Sequence, residues 1–256
     1  MNFLNMEHKN LYDTIFKRKS IRKFDLSPLD GKILSDITRQ LKNIIPMYPG
    51  IETEVNIVSP NDVKGLIQLK APHYIVAFSE AKEGYLTNMG FMLQQIDLFF
   101  SANGIGCCWQ GWPRPTKELR NNRNLEFIIV LAFGLPKEKL NREYIHEFNR
   151  KSLGEISDTE GFDKLIEPAR LAPSTSQPWF FTGEGQLINI CCIKTNGIKA
   201  MIKSVNRLTR IEIGIAACHL WIAALHFNKR IEFLEINNKK TKIPAGYFYV
   251  ISASIQ

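Results

Sequence analysis

Two stretches of the chain hold side chains whose types and spacing suit anion binding and recognition of a flat ligand. Near the N-terminus, Arg18, Ser20 and Arg22 alternate within Lys17-Arg18-Lys19-Ser20-Ile21-Arg22-Lys23-Phe24. In extended backbone, alternate side chains share a face, so these three are expected on one side. Two guanidiniums flanking a hydroxyl could close on a phosphate through charge-assisted hydrogen bonds. By itself the stretch also fits a solvated basic surface. The second stretch, Ala169 to Trp179, contains Pro173, Ser174, Thr175, Ser176 and Gln177, followed by Pro178. Proline disfavours helical geometry in the residue before it, so Ala172 and Gln177 are expected to be extended. The pattern predicts a stiff polar segment between a helix and a strand. It would grip the polar edge of a flat ligand or serve as an ordinary connector. Between the two lies Ile105-Gly106-Cys107-Cys108-Trp109-Gln110-Gly111-Trp112-Pro113, read as turn-rich, where glycines permit close backbone approach to a ligand.

Other reactive residue types give weaker patterns. The five cysteines form two vicinal pairs, Cys107-Cys108 and Cys191-Cys192, plus Cys218. With no C-x-x-C and apolar surroundings, they read as buried, reduced thiols. His8, His73, His146, His219 and His226 show no metal-ligand spacing, so no metal is expected and His219 and His226 read as packed or surface residues. No acid, base or nucleophile stands out, and the catalytic residues are unknown at this level. The net charge of +8 favours anionic ligands, nucleotides among them. Basic residues are scattered apart from Lys17 to Lys23 and a turn at Asn237-Asn238-Lys239-Lys240. No basic stripe with interleaved aromatics appears, which argues against nucleic acid as a partner.

These groups need elements to position them. A chain of 256 residues, 45% hydrophobic, suffices for one large or two small domains. No apolar run approaches the roughly 20 residues of a membrane span. Met1 to His8 lacks the basic-then-apolar pattern of a secretory signal. The expectation is a soluble, cytoplasmic protein without a membrane partner. Helices are predicted from Leu11 to Arg18, from Ser27-Pro28 to about Asn43, from Tyr85 to Asn103, from Phe162 to Leu171 and from Arg210 to Phe227. The last carries one apolar stripe through Ile211, Ile215, Cys218, Ile222 and Leu225. Strands are predicted at Val55 to Ser59, Tyr74 to Ser79, Glu126 to Phe133, Trp179 to Thr182, Leu187 to Lys194 and Tyr247 to Ile255.

The order of these elements repeats. Ile44-Ile45-Pro46 aligns with Leu171-Ala172-Pro173 at 127 residues (173 − 46), Gly90 with Gly214 at 124 (214 − 90), and Phe127 to Val130 with Tyr247 to Val250 at 120 (247 − 127). The shrinking offsets point to an internal duplication with small deletions in the second copy. The copies differ in chemistry: Met47-Tyr48-Pro49-Gly50 stands where the second copy has its polar loop.

The Arg18-x-Ser20-x-Arg22-x-Phe24 stretch, the Ala-Pro-Ser…Gln-Pro-Trp loop, the long helix running into Gly-Ile-Gly and Arg150-Lys151-Ser152-Leu153-Gly154-Glu155-Ile156 together resemble the FMN-dependent nitroreductases, in a form where two halves are fused. The resemblance implies an α+β fold, a nitroreductase-like α/β sandwich of mixed or antiparallel sheets flanked by helices, in which one chain is similar to a conventional dimer. The halves would be 1–140 and 141–256, intertwined, with one FMN site between them. It further implies that Arg18, Ser20, Arg22, Arg150 and Lys151 hold the flavin phosphate and ribityl chain. Gln110-Gly111 would present a backbone N–H to flavin N5, and Pro173, Ser174, Thr175, Ser176 and Gln177 would form the opposite wall. The loop lacks the Asn of the family's common form, which leaves Ser176 or Gln177 for the pyrimidine edge. Arg22 would favour reduced flavin from beside its N1/O2 edge. The implied activity is transfer of electrons from NAD(P)H through FMN, one per chain, to a small-molecule nitroaromatic, quinone or similar acceptor, with a monomer possible. A flavin-storage or sensor protein without turnover is the alternative.

Overall fold

Two long helices cross at the centre of the molecule, each packed against its own antiparallel sheet. The computed structural model describes residues 8–121, 124–194, 203–236 and 243–256; the Asn237 to Lys240 turn lies outside them. The first half contains α1 (Gly31–Leu41), β1 (Thr53–Val58), β2 (His73–Ser79), α2 (Tyr85–Ala102), β3 (Gly106–Gln110) and β4 (Glu126–Gly134). The second contains α3 (Asp163–Arg170), β5 (Trp179–Glu184), β6 (Leu187–Ile193), α4 (Lys203–His226), β7 (Ile231–Leu234) and β8 (Tyr247–Ile255). The sheet orders are β1-β2-β4-β3 and β5-β6-β8-β7, so each strand of the first four-stranded sheet has a counterpart in the same place in the second. Every ladder within these two sheets is antiparallel.

The duplication is also visible at the helix crossing. A Cβ on Gly90 would sit 2.1 Å from the Ile211 carbonyl oxygen, and one on Gly214 would sit 1.9 Å from that of Thr87. Positions 87 and 211 have the same spacing as 90 and 214 (211 − 87 and 214 − 90 are both 124). The contact is therefore reciprocal across a pseudo-twofold, and only glycine allows the backbones so close.

One core cluster runs through both halves, with Met89, Leu93, Ile213, Ala217 and Trp179 among its buried members. A smaller one lies on the other face of the first sheet, where Tyr74, Val76 and Phe78 of β2 meet Ile21, Phe24 and Val130. Alternation along β2 thus feeds two cores, and all of its residues are buried. The segment 17–25 closes that second core by running along the β3 edge: Ile21 N–H donates to Cys107 O at 3.0 Å, and Arg18 and Phe24 bridge to Asn141 and Pro136. The basic stretch is thereby anchored by its apolar members.

Three expectations change. The run from Ile105 to Pro113 is mostly strand β3, because residues 106 to 110 pair with residues 134 to 130 of β4. The short edge strand β7 was not expected. Gln177 is not extended but left-handed, with φ of 46°, because Ser174 Oγ draws in its N–H at 2.7 Å and that of Ser176 at 3.0 Å. All five cysteines are free and buried. Burial pushes the thiols of Cys191 and Cys192 up to about 12 and about 11, which keeps them protonated. The window Val205–His226 is long and apolar enough to span a bilayer, but it is 83% buried as a core helix against α2.

His219 is buried on α4. Its Nδ1 donates to Pro168 O at 2.8 Å, so Nε2 is left to accept from Gln94 Nε2 at 2.9 Å. Burial lowers its pKa from 6.5 to about 3. The unfolded chain therefore takes up this proton first, and stability falls as pH drops through 6.5 toward about 3. Urea midpoints should be lower at pH 5 than at pH 7, and His219→Gln should shrink that difference. An unchanged difference would remove His219 as its source.

Candidate functional site

The 17–25 segment, the 172–178 loop, the turn after β3 and the start of α4 converge on one cleft. It consists of two cavities that share Ser20, Arg22, Pro173 and Ser174. The outer cavity, about 430 Å³, is basic, with Arg18, Lys19, Arg22, Arg142 and Arg150 facing Glu138 and Glu147. The inner one, about 290 Å³, is walled by Trp109, Trp112, Ile129, Leu208, Ile211 and Ile215, with Cys108, Gly111, Thr175 and Glu212 also lining it.

The charges are unequally matched. Arg18 is buried and its Nε lies 2.7 Å from Asp97 Oδ2, also buried; its Nη2 donates to Ser20 Oγ at 2.9 Å. Lys19 pairs with Glu138 at 3.4 Å. That carboxylate also accepts the N–H groups of Arg22 and Lys23, bonds that hold its carboxyl below the usual range. Arg22, Arg142 and Arg150 have no carboxylate at ion-pair distance among the described residues. Arg142 donates to the Arg18 and Glu147 carbonyls and stacks on Phe148 at 4.2 Å. Burial and then repulsion from Arg18 and Arg150 lower its pKa to about 10. Arg150 is lowered for the same reasons, first burial and then Arg18. Glu147 offsets part of the lowering on Arg142 and Glu212 part of that on Arg150, and guanidiniums crowded in excess of their paired carboxylates form an anion receptor.

The inner wall is held by Glu212 of α4. Its carboxylate accepts from Thr175 N–H (2.7 Å), Thr175 Oγ1 (2.7 Å), Ser174 Oγ (2.8 Å) and Ser176 Oγ (3.4 Å). The loop hydroxyls thus point to Glu212. Opposite, Arg114 Nη1 gathers the carbonyls of Gly111, Trp112 and Pro113 at 2.9, 3.1 and 3.0 Å. This stiffens a turn that leaves Trp112 70% exposed at the cavity mouth.

Of the residues singled out in the sequence, Arg18, Ser20, Arg22, Arg150, Gly111, Pro173, Ser174 and Thr175 line the cleft. Ser176 belongs to the loop but lines neither cavity. Gln177 is buried, its amide accepting from Lys151 N–H at 2.8 Å and donating to Arg170 O at 3.2 Å. Lys151 Nζ donates to Gln177 O at 3.4 Å, behind the loop. Gln110 is also turned inward, accepting from Leu69 N–H at 3.2 Å and donating to Trp109 O at 3.1 Å. Sequence reasoning missed Arg142 and Glu212. A lone acid beside Ile211 and Ile215 on the apolar stripe was the available signal for Glu212; nothing local marks Arg142. Among the described residues no group of three His, Cys, Asp or Glu could hold a metal ion.

The pseudo-twofold places a counterpart cavity of about 230 Å³ at Tyr48, Lys82, Glu83, Gly84, Thr87, Arg210 and Glu235. There Asn88 occupies the position of Glu212 (212 − 88 is again 124) and accepts from Met47 and Tyr48 N–H at 2.8 and 3.0 Å. The Tyr48 ring stands where the other half has Thr175 and packs against Gly84, 2.7 Å from where a Cβ would be. Its lining sets two cations, Lys82 and Arg210, against two carboxylates, Glu83 and Glu235, and Lys82 is already paired with Glu80 at 2.8 Å.

A family model described as "Putative TM nitroreductase" matches residues 10–224. Among solved structures, a "putative nitroreductase" from Thermotoga maritima MSB8 is 20% identical with a TM-score of 0.64, covering 99% of this chain and 95% of its own. A nitroreductase family protein from Clostridium difficile 630 is 17% identical with a TM-score of 0.45, over 60% of this chain and 96% of that one. An FMN-dependent nitroreductase from Clostridium difficile R20291 is 18% identical with a TM-score of 0.41, over 49% and 87%. No curated protein matches the chain. With the model spanning most of its length and the full-length neighbour sharing its fold, the chain belongs to the "Putative TM nitroreductase" family and, by class, to the oxidoreductases.

Proposed function

We propose that the chain binds one FMN in this cleft and passes electrons from NAD(P)H to a small flat acceptor such as a nitroaromatic or quinone. The observation that carries this reading is the continuity of an arginine-rich cavity with an apolar, tryptophan-lined one. A phosphate monoester joined to a flat ring system needs such a pair of environments, one charged and one dry. The chemistry that a bound flavin supplies is hydride exchange at its N5. Arg22, Arg142, Arg150 and the Ser20 hydroxyl, which line the outer cavity, would hold the phosphate. Trp109, Ile129, Leu208 and Ile211 exclude water from the ring cavity, and Gly111 lets the backbone come close to it. Trp112, exposed at the mouth, offers an incoming aromatic acceptor a surface for stacking.

Both walls come from one polypeptide, the first from residues 18–22 and the second from residues 173–176. A monomer therefore suffices for the site, and the halves 1–140 and 141–256 together stand for a conventional dimer. The counterpart cavity has the Tyr48 ring in place of the polar wall and balances its two cations with two carboxylates, which supports one flavin per chain. The purified protein should be yellow, or become so with added FMN, and titration should saturate at one equivalent. NAD(P)H should bleach the colour under anaerobic conditions and a nitroaromatic or quinone restore it. A colourless protein indifferent to FMN would sink the reading. Bound flavin that no nicotinamide reduces would leave a storage or sensor protein.

A further inference from the structure

The hydrogen bonds around Glu212 fix the charge that a ligand in the inner cavity meets. Ser174 Oγ accepts the N–H groups of Ser176 and Gln177, at 3.0 and 2.7 Å. A hydroxyl has two acceptor lone pairs and one proton, so that proton is left to donate, and it points at Glu212 Oε2 at 2.8 Å. The Thr175 N–H can only donate, and the Thr175 and Ser176 hydroxyls turn toward the same carboxylate. Four donors converging on one side chain require a group that only accepts, which is an ionised carboxylate. A protonated or amide side chain at 212 would set a donor against Ser174 Oγ, whose lone pairs are already filled.

The molecule contains its own control. Asn88, in the matching position of the other half, holds the backbone of its proline loop through Oδ1 alone. A neutral amide is therefore enough to anchor such a loop at its N–H groups. The negative charge is added only in the half that carries the cleft, and it lines the inner cavity. Glu212 is 6% exposed, so solvent screens it little.

We infer that Glu212 is a fixed anion that lowers the reduction potential of a flavin held in the inner cavity. The inference rests on the flavin reading above. Reduction adds electrons to the ring, and a buried negative charge in the same low-dielectric cavity raises the energy of the reduced form relative to the oxidised one. Arg22, on the shared rim, acts in the opposite sense. Glu212 is a positioning residue for the loop and an electrostatic one for the ring, with no proton transfer assigned to it.

The test compares affinities of the full chain for oxidised FMN and for FMN reduced with dithionite under anaerobic conditions. Glu212→Gln should shift the ratio toward the reduced form by about tenfold, which corresponds to a rise of ~30 mV in a two-electron couple. Glu212→Asn, which copies the amide of position 88, is a second neutral variant with the same expectation should the first fail to fold. Ser174→Ala cuts one loop bond but keeps the charge, and should leave the ratio unchanged even if both affinities fall. An unchanged ratio in the neutral variants overturns the inference, as does an equal shift in Ser174→Ala. A wild-type chain that binds no flavin removes the flavin reading itself and this inference with it.

Discussion

Gly214→Ala is expected to unfold the protein or destabilise it by more than about 3 kcal/mol, beyond the usual cost of an overpacked core. On helix propensity alone the change should stabilise, since glycine inside a helix is worse than alanine by about 1 kcal/mol. The crossing geometry reverses the sign. A Cβ at 214 would lie 1.9 Å from Thr87 O and 2.7 Å from Phe91 N, both backbone atoms of α2. A side chain could rotate away, but a helix backbone yields only by moving the whole helix. Displacing α4 from α2 would also carry Glu212, Leu208 and Ile211 away from the cleft, so FMN affinity should fall along with stability. Gly90→Ala should behave alike, because its Cβ meets Ile211 O at 2.1 Å. Gly31→Ala is the control: nothing lies within 4 Å of its Cβ position, and its stability should hold or rise by up to about 1 kcal/mol. Urea unfolding of the three variants checks the ranking. Equal stabilities would mean that the two helices do not cross at these glycines.

Arg150→Ala should weaken FMN binding by about 2–3 kcal/mol, or roughly 30- to 150-fold, the range for removing a charge-assisted hydrogen bond. Arg150 is partly buried and donates to the Ala172 carbonyl at 3.2 Å without a carboxylate partner among the described residues. Burial, and after it the Arg18 charge, lowers its own pKa, a cost to the apoprotein that Glu212 offsets only in part. The thermal midpoint of apo Arg150→Ala is therefore expected to rise while flavin affinity falls, the trade expected where a site stores repulsion for its ligand. Arg150→Lys should be intermediate, since it restores charge without the two-pronged donor geometry. Raising salt should weaken binding in the parent more than in Arg150→Ala. Fluorescence titration of FMN at two ionic strengths reads both effects, and an unchanged affinity would exclude Arg150 from the phosphate site.

Much of this molecule is legible in the chain. Apolar periodicity placed α2 and β8 within a residue of their observed limits. The repeat of Gly90 and Gly214 at one spacing pointed to duplication, although the reason for the glycines, a backbone-to-backbone crossing, is not local. The strand β3 was misread because Gly106, Gly111 and Pro113 resemble a turn until β4 supplies a pairing partner. The polar loop was located, but the duties of its side chains were not. Gln177 and Gln110 have the donors and acceptors a flavin edge would want, yet both spend them on backbone groups of their own chain.

Local interactions therefore determined most of the elements, their duplicated order and the positions of the basic stretch and the polar loop, since these follow from residue periodicity. Only the tertiary structure decided which polar groups are left for a ligand. Thr175 is satisfied by Glu212, 37 residues away, and Arg142 reaches Arg18 across 124 residues. A hydrogen bond already made within the fold is unavailable to a ligand, and a guanidinium without a counter-charge is free to take one. That balance is set by neighbours in space, so residue types alone mark where a site lies and the folded chain determines what it can hold.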